Sequence, residues 1–176
     1  FVPGKEKEPL GNVTFQVEDF VPPRLEVGVA PEKTVLVGAE AMKIALSGRY
    51  LFGAPGANRP YELGWKITPV DFAPKGYEGW SFKDLDRSAD SQTSLKYLTG
   101  ELDDDGKADV SFTAPSDWLP PSMLRVMLIG GVQEDGARWT TKTETITWFP
   151  QSTLLGLKEP SCENVPGKPF TVQAVT

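Results

Sequence analysis

Histidine does not occur anywhere in the 176 residues, so no Ser-His-Asp or Cys-His nucleophile system and no imidazole metal site can be built here. The groups left for chemistry are carboxylates, one thiol and the aromatic rings. Asp103-Asp104-Asp105 runs into Gly106, faintly like the start of a calcium loop. A calcium loop needs acids at alternate positions and a glutamate at a set distance beyond the glycine, and Phe112 stands there. The triplet therefore reads as a solvated hairpin turn. Cys162 is the one cysteine, so no internal disulfide forms and the compartment stays open; it reads as a free thiol in a loop. A glycosidase needs two carboxylates across a cleft, but 24 acidic residues make pairs by chance and nothing singles out two. Trp80 and Trp118, both in loops, are candidates for a sugar-stacking platform, whereas Trp65 lies in phase with core positions. Asn12-Val13-Thr14 fits the glycosylation acceptor pattern, yet Val13 and Thr14 already belong to a strand pattern. The expectation is a non-enzyme with no catalytic residue, cofactor or metal ligand.

Whatever positions these groups is built from strands. Hydrophobic residues make up 39%, enough for a core. Sixteen prolines and seventeen glycines suit a fold of short strands and many turns. The net charge of −6, with lysines and arginines scattered, argues against nucleic acid and favours solubility. No apolar run approaches the roughly 20 residues that span a bilayer, so no direct membrane contact is expected from this stretch. The first residue is Phe1, not Met, and the stretch holds no charged-then-apolar signal-peptide pattern; the expectation is a fragment cut from a longer protein, with any targeting signal outside it.

Period-two alternation recurs along the chain. Val13, Phe15 and Val17 alternate with polar neighbours, then come Pro22-Pro23, then Leu25, Val27 and Val29. Neither proline has an N–H, so no ladder crosses them, and a stiff extended connection follows. This is read as a joint between two β modules. Further strands are expected over Met42–Phe52, Tyr61–Ile67, Leu95–Leu102, Ala108–Phe112, Leu124–Val132 and Trp139–Trp148. Leu124–Val132, apolar on both faces, reads as a central strand, and the threonines between Trp139 and Trp148 suit one wet face. Asp103-Asp104-Asp105-Gly106 and Glu134-Asp135-Gly136 supply hairpin turns. Residues 69–92 show no period. Phe149-Pro150 reads as a second joint, with opening strands of a further module near Leu154–Leu157 and Phe170–Val175. The fold class expected is all-β, a seven-stranded antiparallel immunoglobulin-like sandwich over 22–150, with the last strand of a preceding module in 1–21 and the opening strands of the next in 151–176.

Two segments carry a family resemblance. Phe15-Gln16-Val17-Glu18-Asp19-Phe20, followed by Pro22-Pro23-Arg24-Leu25-Glu26-Val27, resembles the joint between successive macroglobulin-like domains of the alpha-2-macroglobulin family, in its bacterial form. Tyr50-Leu51-Phe52-Gly53-Ala54-Pro55 is similar to that family's Tyr-x-Phe-Gly-x-Pro segment. The resemblance implies a structural scaffold domain of a broad-spectrum endopeptidase inhibitor. In that family a bait segment is cut, a thioester reacts and the shell closes around the protease. It implies neighbouring macroglobulin-like domains and target proteases as partners, and a periplasmic or extracellular place, anchored to a membrane through a part outside this stretch. The thioester motif is Cys-x-Glu-Gln; Cys162-Glu163-Asn164-Val165 lacks the glutamine, so no thioester is expected here. The inter-domain joint residues are Phe15, Val17, Phe20, Pro22 and Pro23, with an orienting role. A carbohydrate-binding or adhesion module using Trp80 and Trp118 is the alternative, followed by a catalytic domain built on acids.

Overall fold

The structure, a computed structural model, describes residues 24–84, 86–87, 96–113, 120–158, 167, 169 and 171–176. The five seam residues named above, with Asn12, Leu95, Trp118, Cys162 and Phe170, lie outside the described residues.

Alternation decides both sheets. Strands β1 (Leu25–Pro31), β3 (Ala41–Tyr50) and β7 (Lys107–Thr113) form a three-stranded antiparallel sheet in the order β1-β3-β7. The alternate residues Leu25, Val27 and Val29, with Met42, Ile44 and Leu46 and with Val110 and Phe112, are buried on one face. Strands β2 (Val35–Val37), β9 (Trp139–Phe149), β8 (Leu124–Gln133), β4 (Pro60–Pro69) and β6 (Lys96–Glu101) form a five-stranded sheet in that spatial order. Its inward residues, among them Leu63, Ile67, Leu124, Val126, Leu128, Ile146 and Trp148, join those of the first sheet in one continuous core. Trp65 packs against that core edge-to-face on Phe112, with ring centroids 5.3 Å apart. The fold is an all-β immunoglobulin-like sandwich.

All seven expected strands are present, with β8 at the centre of its sheet. Three differences have physical causes. The chain bends after β1 at Glu32–Thr34 and crosses to the other sheet, where β2 pairs parallel with β9, so one edge of the sandwich is not antiparallel. Only Leu36 of β2 is buried, too little pattern to show in the sequence, and the Trp148 indole fixes that edge by donating to the Gly38 carbonyl at 2.7 Å. Second, β3 ends at Tyr50, not Phe52. The N–H of Gly53, at φ +100°, donates to the Tyr50 carbonyl, and the chain turns out of the sheet. Third, β5 (Trp80–Ser81) arises within the region without a period, and it belongs to neither face of the sandwich.

That short strand pairs with β10 (Gly156–Lys158), which pairs with β11 (Gln173–Val175), giving a separate antiparallel sheet in the order β11-β10-β5. Residues beyond Pro150 thus add strands onto a loop of the sandwich.

Candidate functional site

The features bearing on function gather at the two ends of β8, whose ten residues separate them by about 30 Å at the usual strand rise. At the first end the chain comes into the sandwich at Arg24. Here the β8–β9 hairpin closes through Glu134, whose N–H donates to the Arg138 carbonyl at 2.7 Å, with Gly136 and Ala137 at positive φ. The Glu134 side chain turns inward and is buried. Its carboxylate accepts from the Thr140 hydroxyl and, at 3.5 Å, from the backbone N–H of Arg24. The Thr140 hydrogen bond first, then the N–H groups of Arg24 and Leu25 and the charge of Arg138, hold the Glu134 carboxyl below the ordinary glutamate range despite the opposing effect of burial. The carboxylate thereby joins the hairpin to the first residues of β1, 110 positions away.

Beside it, Asp135 accepts from Arg59 at 2.6 Å and from the Tyr50 hydroxyl at 3.4 Å. The hydrogen bond with Asp135 is the chief reason the Arg59 guanidinium is held above its ordinary pKa. Arg59 also lies over the Tyr50 ring, 5.9 Å from its centroid, and the Phe52 ring stacks on Tyr50 with centroids 5.1 Å apart. The turn bearing Leu51 and Phe52 is tied at both sides. The Tyr50 N–H donates to Ala54, the Arg49 Nε to Gly53, and the Leu51 N–H to the Arg24 carbonyl, at 2.9, 3.0 and 2.9 Å.

Three glycines let the β6–β7 hairpin close against this turn. Gly48 donates to the Gly106 carbonyl and accepts from Gly56, both at 2.8 Å. A Cβ at Gly106, whose φ is +73°, would fall 2.5 Å from the Gly48 carbonyl oxygen. The Asp103 carboxylate accepts from the N–H groups of Asp105 and Lys107 at 3.0 and 2.8 Å, and Asp104 from Asn58 at 3.2 Å. The acidic triplet is thus a self-satisfied turn. Among the described residues, no group of three or more Cys, Asp or Glu is placed to hold a metal ion.

At the far end, aromatic rings dominate the packing. Phe72 meets Phe82 and Phe149 edge-to-face at 5.4 and 5.5 Å, and Tyr77 meets Trp80 and Phe82 at 6.0 and 5.7 Å. Lys158 of β10 sits 5.9 Å over the Trp80 ring, so Trp80 is taken up in packing between β5 and β10. Gly156 abuts the Phe82 ring, where a Cβ would fall 2.5 Å from Cε1. A cleft of about 1000 Å³ lies alongside, lined by Trp80, Lys83, Arg87, Leu155 and Val172 among others.

Sequence reasoning read Tyr50 as a strand residue of the Tyr-x-Phe-Gly-x-Pro segment, and Glu134 and Asp135 as turn residues only. Nothing in the local sequence marks Glu134 as buried, because its backbone partner, Arg24, is 110 positions away.

Two sheets packed face to face over one apolar core define a β module of the immunoglobulin-like class. Residues 23–150 match the family model described as the bacterial alpha-2-macroglobulin MG5 domain, and the chain belongs to that family. It is 31% identical over 145 residues to the alpha-2-macroglobulin of Escherichia coli (strain K12), covering 82% of this chain and 9% of that protein. The native-conformation structure of the E. coli protein superposes with a TM-score of 0.63 at 27% identity, over 90% of this chain and 10% of that one. The Salmonella alpha-2-macroglobulin reacted with methylamine gives 0.62 at 30% identity, over 84% and 9%. The chain therefore spans about a tenth of the relatives it matches.

Proposed function

We propose that this chain is a structural scaffold module of a bacterial alpha-2-macroglobulin-like protease trap, an endopeptidase inhibitor, and that its part is to hold neighbouring modules in register. The observation that carries the reading is the match of residues 23–150 to the bacterial MG5 domain. The continuous apolar core between the sheets supports it, since a close-packed body of this kind is stiff. On this reading residues 1–21 close the preceding macroglobulin-like domain, 22–150 are the complete sandwich and 151–176 open the next. Phe15, Val17, Phe20, Pro22 and Pro23 set the angle of the first joint. The partners are the neighbouring domains of the same chain and the target proteases of the full-length protein. Bacterial alpha-2-macroglobulins are typically periplasmic or secreted, which supports a periplasmic place, with any membrane anchor carried by another part of the protein.

The test is to incubate the full-length protein with an active protease and follow the mixture by size-exclusion chromatography. Cleavage of the protein with the protease co-migrating in its peak is the expected result. Cleavage without retention of the protease would count against the trap.

A further inference from the structure

Leu51 and Phe52 are 70% and 78% exposed, more than any other large apolar side chain among the described residues. Loop tips facing water are ordinarily polar, and a contiguous apolar projection marks an interaction surface. This one is not loose. Its backbone is bonded on both sides to Arg24, Ala54 and Gly53, and Phe52 lies on a Tyr50 ring clamped between Arg59 and Asp135. A projection held that firmly keeps little conformational entropy to lose on binding, which is the physical requirement of a docking knob.

Its place in the fold names what it meets. The Leu51 N–H bonds to the carbonyl of Arg24, and the N–H of the same Arg24 bonds to buried Glu134. Whatever is attached ahead of Arg24 therefore departs within one hydrogen bond of the knob. We infer that Leu51 and Phe52 seat in an apolar socket on the preceding module of the same chain. The inference rests on the reading above that a module precedes. Arg24 and Arg49 flank the knob, and neither makes an ion pair among the described residues. The rim of the socket is accordingly acidic, and the contact combines an apolar centre with a charged border as docking surfaces do.

The experiment puts a thiol at the knob, Phe52→Cys, and follows its reaction with N-ethylmaleimide by peptide-resolved mass spectrometry. The side chain is largely in water, so folding is not at risk. Three proteins are compared: the 176-residue chain, the full-length protein, and the full-length protein cut back to begin at Phe1. The thiol reacts freely in the first, slows about tenfold or more in the second, as a docked contact that must open requires, and regains its rate in the third. Equal rates in the first two proteins overturn the docking. Protection that survives removal of everything ahead of Phe1 overturns the choice of partner, and protection that rises with protein concentration assigns the knob to a second copy. Protease trapping by the unsubstituted full-length protein is measured separately, so the wider reading can fail while the docking stands.

Discussion

Glu134 shows how one side chain can hold the start of a strand in place without doing chemistry. It is buried, charged, and satisfied by a hydroxyl and by backbone N–H groups at the start of β1. Glu134→Gln replaces one acceptor oxygen with a donor facing those N–H groups, and should lower stability by about 1–3 kcal/mol, read from urea unfolding. The pH dependence has a definite sign. The folded-state pKa lies below the unfolded value, so the unfolded chain binds the proton more readily. The stabilisation is complete above the ordinary glutamate pKa of about 4.3 and is lost as pH falls through the lower folded-state value. Unfolding curves between neutral pH and acid should show this loss in the native sequence and a smaller loss in Glu134→Gln.

At the scale of elements, the sheet β11-β10-β5 decides how firmly the residues after Pro150 are held. Gly156→Val would drive a side chain into the Phe82 ring and toward Val175. The expected outcome is loss of hydrogen-exchange protection at 156–158 and 173–175, with protection along β8 unchanged, since β8 bonds only to β4 and β9. Loss of protection along β8 would mean that the small sheet and the sandwich unfold as one unit. The same element explains what sequence could reveal. The long strands were legible because each buries one face, as Met42, Ile44 and Leu46 do; β8 buries Leu124, Val126, Leu128 and Val132 in the same way, while its apolar outward residues Met127 and Ile129 are only half-buried. Residues 69–92 were not, because Trp80 and Phe82 are ordered by Lys158 and Gly156, far along the chain, and not by a local period. β2 was missed for want of pattern, and Phe52 was read as part of a strand because alternation does not register the turn at Gly53. The buried role of Glu134 was invisible for the reason that hides β5: its partner is remote.

For the whole molecule, the sandwich is a close-packed body with differently made ends. Where the chain comes in, hydrogen bonds and charge fix Arg24 and present an apolar knob; where it leaves, strands and aromatic rings carry the packing past Pro150. Such a body transmits orientation only if its connections are stiff. On the proposed reading, Pro22 and Pro23, with restricted φ and no N–H to donate, are the source of that stiffness on the incoming side. The most direct test is small-angle X-ray scattering of the full-length protein carrying Pro22→Gly and Pro23→Gly together, beside the native sequence and with thermal unfolding of both. The expected result is a broadened, more extended scattering profile while the sandwich melts at its native temperature. An unaltered profile would contradict it.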